Sequence, residues 1–144
     1  MTSGWHGLPV GRRVLLAEDD VALRELLAMV LSEGGYQVAT VSNGPELRQL
    51  LSGAAPEGRF DLVVTDVVMP GGSGLDVIEL LRQTGDTTPV IVVTAFPQDD
   101  IRKRAKDLGL RLLAKPFELE TLRAAVDWAI RANAAQQRRL SWSQ

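Results

Sequence analysis

An alternation of short apolar runs with longer amphipathic segments most limits what this chain can fold into. The short runs are apolar and rich in β-branched residues, which is typical of strands. The segments between them place apolar residues three and four positions apart, which is typical of helices packed on one side. Strands are predicted at residues 14–17, 37–41, 62–65, 90–94 and 111–114, and helices at 21–31, 45–51, 75–83, 99–108 and about 118–132.

The third and fourth predicted strands indicate how the units assemble. Residues 62–65 and 90–94 show no alternation with polar residues, so both of their faces should be covered, as in a parallel sheet between helices. Five strand-helix units with right-handed crossovers predict an α/β fold with an open, doubly wound sheet, most simply the flavodoxin-like order 2-1-3-4-5. We expect a single domain over residues 12–131, a leader over 1–11 and a C-terminal tail over 132–144.

Composition excludes several classes of function. The chain has no cysteine, which excludes disulfides, thiolate zinc sites and cysteine nucleophiles. Its 16 basic and 18 acidic residues give a net charge of -2, which is not typical of a nucleic-acid-binding protein. No apolar run has the length of about 18 residues that a membrane span needs, and residues 1–7 do not resemble a signal peptide. We therefore expect a cytoplasmic protein with no direct nucleic-acid or membrane partner.

Chemically useful residues stand where the predicted strands end. The first strand ends before Glu18 and Asp19, the third at Asp66, the fourth at Thr94 and the fifth before Lys115. In an open parallel sheet, ligands bind at the carboxyl ends of the strands, beside the point where the strand order reverses. These side chains are therefore expected to converge on one acidic cluster that faces a lysine and a hydroxyl group.

Such a cluster favours a divalent cation. Two carboxylates about 5 Å apart repel by roughly 3 kcal/mol at an effective dielectric constant of 20. Mg²⁺ prefers oxygen ligands and typically takes one or two carboxylates together with a phosphate oxygen. With Lys115 nearby, the site suits phosphoryl transfer, which depends mainly on positioning and charge stabilisation. The only histidine, His6, lies in the expected leader, so a Ser/His/Asp catalytic set is excluded. The candidate nucleophile is therefore a carboxylate, that of Asp66.

Four motifs carry a resemblance to a known family. They occur in order, each at the end of an apolar strand, and the resemblance covers about residues 12–131. The motifs are residues 14–20, 61–74, 92–95 and 115–117. In these motifs the chain resembles the receiver domain of a response regulator from two-component signalling.

The resemblance implies a role for each site residue. Asp66 would accept a phosphoryl group from the phosphohistidine of a sensor histidine kinase or a phosphotransfer protein. Glu18 and Asp19 would hold Mg²⁺ together with Asp66, and the backbone carbonyl of Val68 would complete the protein's share of the metal ligands. Thr94 and Lys115 would each contact a phosphoryl oxygen, with Lys115 in a cis bond to Pro116.

Ordinary structural roles remain open for the same residues. Asp20 is better explained as the N-cap of the following helix than as a metal ligand. The acidic pair before it could form a solvated turn, Thr94 could be only a strand residue, and Lys115 could lie on a surface turn. Residues 69–74, rich in glycine, are most simply a loop.

Two other functions share parts of this pattern. A Mg²⁺-dependent phosphatase with an aspartyl nucleophile would usually need a second acid two residues after it, where this chain has Val68. A flavin-binding module would need a phosphate-binding loop after the first strand, where residues 18–20 would instead repel a phosphate.

The resemblance also implies that the protein acts as a phosphorylation-dependent signalling switch, and its output depends on residues outside the four motifs. Most receivers carry an aromatic residue three positions before the lysine, but here the residue is Leu112, which cannot act as an aromatic rotamer switch. We expect the basic helix over 99–108, whose apolar face is thin, to move or loosen instead. Because few residues follow position 131, we expect the output to be contact with an unknown downstream protein.

Overall fold

A computed structural model describes residues 11–52 and 59–142 of the chain. None of the helices in these two ranges is long and apolar enough to cross a membrane. Residues 1–10 of the expected leader, with His6, and the predicted loop at 53–58 lie outside the described residues. The elements are β1 (Arg13–Ala17), α1 (Val21–Glu33), β2 (Gln37–Val41), α2 (Gly44–Leu51), β3 (Leu62–Asp66), β4 (Val68–Met69), β5 (Gly72–Ser73), α3 (Gly74–Gln83), β6 (Val90–Thr94), α4 (Asp99–Asp107), β7 (Arg111–Ala114) and α5 (Leu119–Trp142).

Five of the strands form one parallel sheet. Its order is β2-β1-β3-β6-β7, which confirms the predicted order 2-1-3-4-5 for the strands of the sheet. The pairing aligns Ala17 with Thr65, and Asp66 with Val93. The carboxyl ends of β1, β3 and β6 therefore meet at the same edge, beside the reversal of strand order.

A short antiparallel hairpin follows β3. Val68 pairs with Ser73 and Met69 with Gly72, so the loop that was predicted at residues 69–74 is in part a hairpin. Gly71 has φ +81° and Gly72 has φ +145°, conformations that glycine adopts without the steric cost of a side chain. Periodicity cannot reveal strands of two residues, which is why the prediction missed them.

The sheet separates two groups of buried apolar side chains. Alternate residues of each strand point to opposite faces, and both faces are covered by helices. On the side of α1 and α5 the group includes Val14, Leu16, Leu27, Leu31, Leu62, Val64, Ile91, Val93, Leu122, Val126 and Ile130. On the side of α2 and α3 it includes Leu15, Ala17, Leu47, Val63, Leu75, Ile78, Val90 and Val92.

Two details of the helices differ from the predictions. Helix α5 continues to Trp142, so residues 132–142 of the expected tail are helical. In α1, Leu26 follows the apolar spacing of the predicted helix, three positions after Leu23, but is 39% exposed, whereas Leu27 and Leu31 are fully buried. Asp20 caps α1 as predicted, since its Oδ1 accepts a hydrogen bond from the Leu23 amide at 3.1 Å.

A buried tyrosine links the end of α1 to α5. The Tyr36 hydroxyl donates to Asp127 Oδ1 at 2.8 Å, and burial together with this carboxylate raises the pKa of Tyr36 well above its usual range. Because the folded pKa exceeds the unfolded one, this contribution to stability is fully present below about pH 10 and decreases as the pH rises further.

Replacing Tyr36 with Phe should therefore have a pH-dependent effect. We expect the free energy of unfolding to fall by about 1–2 kcal/mol at pH 8, because the ring stays buried and only the hydrogen bond is lost. Above pH 10 the difference between the two proteins should shrink. Urea denaturation of both proteins at pH 8 and pH 10.5 measures this difference, and an equal gap at both pH values would contradict the prediction.

Candidate functional site

The carboxyl edge of the sheet brings three of the predicted residues into direct contact. Glu18 directly follows β1, Asp66 ends β3, and Lys115 directly follows β7. The Lys115 ammonium lies between the two acids, with Nζ 2.7 Å from Asp66 Oδ2 and 2.8 Å from Glu18 Oε1. The Lys115–Pro116 peptide bond is cis, as the resemblance implied, and the Lys115 amide donates to the Thr94 carbonyl at 2.7 Å.

Asp19 completes an acidic cluster with these residues. One carboxylate oxygen each from Glu18, Asp19 and Asp66 lies within 4.8 Å of the other two. Glu18 and Asp66 are only 1% and 7% exposed, whereas Asp19 is exposed to solvent. Three oxygen donors with one side open to water form a site that could hold a hard divalent cation with part of its hydration shell.

Each buried carboxylate is also held by a backbone amide. The Asp20 amide donates to Glu18 Oε2 at 3.1 Å, and the Val68 amide donates to Asp66 Oδ1 at 3.3 Å. The carboxylate of Asp19 has no such contact in residues 11–52 and 59–142, so only the backbone fixes the point from which this side chain extends. Two fixed acids and one solvent-facing acid make up the cluster.

Burial sets the electrostatics of the cluster. It raises the pKa of Glu18 above its ordinary value, and the hydrogen bonds from Lys115 and the Asp20 amide offset only part of this effect. Burial alone would lower the pKa of Lys115, but the bonds and charges of Asp66 and Glu18 outweigh it and raise that pKa. Lys115 therefore stays charged, and the cluster gains from further positive charge.

Among the described residues, Thr94 contacts the site through its backbone carbonyl, which accepts from the Lys115 amide, and Val68 contacts it through its backbone amide. Thr94 is buried at the end of β6, and its Oγ1 accepts a hydrogen bond from the Phe96 amide at 3.0 Å. The structure thus places Thr94 at the predicted edge, but its hydroxyl binds its own loop. The side chain of Val68 is 64% exposed. The roles predicted for the Thr94 hydroxyl and the Val68 carbonyl stay predictions.

Close packing behind Asp66 was not foreseen from the sequence. Gly74 begins α3, and its amide donates to the Val67 carbonyl at 2.9 Å. A Cβ at Gly74 would collide with the Asp66 carbonyl oxygen and lie 2.7 Å from Thr65 Oγ1. The Thr65 hydroxyl in turn donates to the Asp66 carbonyl at 3.0 Å. The glycines at positions 71, 72 and 74 were the available signal, but they suggested only a loop.

An arginine near the cluster was also missed. Arg24, in the first turns of α1, donates from Nη1 to the Glu18 carbonyl at 2.8 Å. In the sequence it is one of several charged residues on an amphipathic helix. Only its position, one turn after the acidic residues, hinted at a contact with them.

Comparison with protein families gives one match that spans most of the chain. The family model described as "Response regulator receiver domain" matches residues 14–127. The relative named Response regulator MprA, from Mycobacterium sp. (strain KMS), is 38% identical over 126 residues, which cover 87% of this chain and 53% of that protein. The Transcriptional regulatory protein PdtaR of Mycobacterium tuberculosis is 38% identical over 123 residues, covering 84% of this chain and 58% of that protein. The chain thus spans about half the length of the curated relatives it matches.

Solved structures show the same architecture. The non-phosphorylated HemR receiver domain of Leptospira biflexa has a TM-score of 0.75 and 32% identity, with 83% of this chain and 94% of that chain covered. The chemotaxis protein CheY4 of Vibrio cholerae has a TM-score of 0.73 and 26% identity, with 83% and 99% covered. The sheet and its flanking helices are therefore shared with both proteins.

Proposed function

Since this chain belongs to the response regulator receiver family, whose general function is a phosphorylation switch in two-component signalling, we propose that its phosphoacceptor is Asp66. The observation that carries the proposal is the position of the Asp66 carboxylate. It lies at the end of a central strand, is contacted by Lys115 at 2.7 Å, and has an oxygen within 4.8 Å of carboxylate oxygens of Glu18 and Asp19. The proposed donor is the phosphohistidine of a sensor histidine kinase or a phosphotransfer protein.

Mg²⁺ is the proposed cofactor. The residues that would hold it are Glu18, Asp19 and Asp66, with the Val68 carbonyl, because this donor set consists of hard oxygen ligands. When bound, the ion would offset negative charge on the transferred phosphoryl group. The chain's own contribution is the fixed geometry of two buried carboxylates and the opening to solvent at Asp19.

The proposed transfer is a direct displacement. An Asp66 carboxylate oxygen forms a bond to phosphorus while the bond from phosphorus to the donor imidazole nitrogen breaks, and that nitrogen keeps the electron pair. The Lys115 ammonium now contacts the Asp66 carboxylate. During the transfer it would give up this contact and pair with one phosphoryl oxygen. The Thr94 hydroxyl, whose oxygen now accepts a hydrogen bond from the Phe96 amide, would turn and donate a hydrogen bond to a second phosphoryl oxygen.

A small phosphodonor tests this function directly. The protein is incubated with acetyl phosphate, with Mg²⁺ in one sample and with EDTA in a second, and the intact mass is measured over time. We expect one phosphoryl group per chain with Mg²⁺ and none with EDTA. Equal labelling in both samples would contradict the metal requirement, and no labelling in either would contradict the phosphoacceptor function.

Removing Asp19 should separate a metal site from a structural turn. The Asp19→Ala variant should lose Mg²⁺-dependent phosphorylation, since one of the three proposed carboxylate ligands is gone. Its melting temperature without Mg²⁺ should be unchanged or higher, because a like charge next to Glu18 and Asp66 has been removed. Differential scanning calorimetry in EDTA gives this temperature.

A matched variant is Glu25→Ala, which removes an exposed acid of α1 outside the cluster. It should leave both labelling and melting close to those of the unchanged protein. A marked loss of metal-free stability in Asp19→Ala would instead favour the structural turn.

The proposed output is a change in helix α4 and the face that it forms with β7 and α5, which a downstream protein would recognise. Helix α4 has one buried residue, Ala105, while Ile101 and Leu108 are only partly buried. Gln98 at its N-cap makes no side-chain capping bond. The basic run in this helix is not wholly solvated, because Arg104 Nη2 contacts Asp76 at 2.6 Å and Glu79 at 2.7 Å on α3.

Few buried contacts therefore oppose a movement of α4. Hydrogen exchange with and without the phosphoryl mimic beryllofluoride should show altered protection in residues 98–112. Peptides from β2, which carries none of the proposed site residues, provide the internal control and should change little. If residues 98–112 did not change while another surface did, the proposed output face would be wrong.

A further inference from the structure

Arg24, on helix α1, contacts the backbone of the segment that precedes this helix. Its Nη1 donates a hydrogen bond of 2.8 Å to the carbonyl oxygen of Glu18, six residues earlier in the chain, and this bond is partly buried. The Arg24 amide also donates to the Asp20 carbonyl at 2.9 Å, as part of the helix itself. We propose that Arg24 is a positioning residue for the divalent-cation site, acting through the peptide that joins Glu18 to Asp19. This inference rests on the proposed function.

The Glu18 carbonyl belongs to the peptide unit that ends at the Cα atom of Asp19. Because a peptide unit is planar, a hydrogen bond that fixes its oxygen also fixes the direction in which the chain enters Asp19. The preceding peptide is held as well, since the Glu18 amide donates to the Val41 carbonyl at 3.1 Å. Arg24 thus restrains the backbone at the residue that carries the solvent-facing carboxylate.

Asp19 needs this restraint more than the other two acids. Glu18 and Asp66 are each held by Lys115 and by a backbone amide. In the described part of the chain, no hydrogen bond or ion pair reaches the Asp19 carboxylate. Its place in the cluster therefore depends on the backbone between Glu18 and Asp20, which is where Arg24 acts.

The charge of Arg24 would act in the opposite direction. A guanidinium bound to the Glu18 carbonyl adds positive charge next to the acidic cluster, so through charge alone it would weaken cation binding. Removing it would then tighten the binding. If positioning dominates, removing it weakens the binding, since groups that orient metal ligands typically change metal affinity by about 10- to 100-fold. The sign of the effect therefore distinguishes the two roles.

The experiment measures Mg²⁺ affinity by isothermal titration calorimetry on the full chain without any phosphodonor. We expect Arg24→Met to bind Mg²⁺ about tenfold more weakly. Arg24→Gln, a second neutral variant that is too short to keep the same contact, should be weakened in the same direction. Arg24→Lys keeps a charge and one donor and should restore most of the affinity.

Arg102 offers a matched control. It lies on α4, is exposed, and also donates to a backbone carbonyl five residues earlier, from Nε to Pro97 at 2.9 Å. Arg102→Met should bind Mg²⁺ as the unchanged protein does. In phosphorylation by acetyl phosphate, Arg24→Met should need about tenfold more Mg²⁺ for half-maximal rate, while its rate at saturating Mg²⁺ stays close to that of the unchanged protein.

Failure of this inference can be told apart from failure of the proposed function. If the unchanged protein neither binds Mg²⁺ nor accepts a phosphoryl group, the proposed function is wrong. If it does both, and Arg24→Met and Arg24→Gln bind Mg²⁺ as tightly or more tightly, the positioning role of Arg24 is overturned. Equal weakening by Arg24→Lys and Arg24→Met would also overturn it, because rescue by the conservative variant would then be absent.

Discussion

Replacing Asp66 with Asn is expected to abolish the incorporation of a phosphoryl group from acetyl phosphate in the presence of Mg²⁺. The amide of Asn has nearly the shape of the carboxylate but is a far poorer nucleophile. The substitution also removes one of the three negative charges of the cluster that Asp66 forms with Glu18 and Asp19. Intact mass spectrometry should therefore detect no phosphorylated Asp66→Asn protein under conditions that label the unchanged chain.

Asp20→Asn is the control for this experiment. Asp20 lies next to the cluster but serves as the N-cap of α1, a position at which Asn is as favourable as Asp. This variant should be labelled as fully as the unchanged protein. Equal labelling of the Asp66→Asn variant would show that another residue accepts the phosphoryl group.

Replacing Gly74 with Ala should have the largest effect on stability. Its added Cβ would meet the Asp66 carbonyl oxygen and the buried Thr65 side chain, and neither can move without disturbing β3. Overpacking of this kind costs about 3 kcal/mol, which corresponds to a fall in melting temperature of roughly 10 °C for a chain of this size. Thermal denaturation followed by circular dichroism measures the change.

Gly35→Ala separates lack of space from backbone strain. Gly35 has φ +96° and no atom within 4 Å of an added Cβ, so this variant bears only the cost of an unfavourable conformation, about 1–2 kcal/mol. It should melt at a higher temperature than Gly74→Ala. A Gly74→Ala protein as stable as the unchanged chain would show that the segment behind Asp66 relaxes easily.

The sequence predicted those elements whose apolar pattern is strong. Strands β2, β6 and β7 have the predicted bounds, because each is a short run with turn residues at both ends. The apolar periodicity did not predict the end of α5, where the helix is no longer packed against the core. After Ala134 the described residues of α5 are no longer buried, so the apolar pattern ends near there while residues with good helix propensity continue the helix.

The site was predictable to a similar degree. The positions of Asp19, Asp66, Thr94 and Lys115 at one edge follow from strand order alone, because parallel strands end together. The contacts among them do not follow from strand order. That Lys115 bridges Glu18 and Asp66, or that the Thr94 hydroxyl binds the Phe96 amide, depends on side-chain conformations in three dimensions. The contact of Arg24 with the Glu18 carbonyl was not predicted, because it too depends on a side-chain conformation.

The division of the interior by the sheet has a consequence for how this chain tolerates substitution. Apolar side chains on its two faces are separated by the backbone of the strands and do not share partners. Energetic costs of substitutions that are well separated and share no partner add almost independently. The apolar side chains between the sheet and helices α1 and α5 can therefore be replaced together by compensating substitutions. The apolar side chains between the sheet and helices α2 and α3 need not change with them.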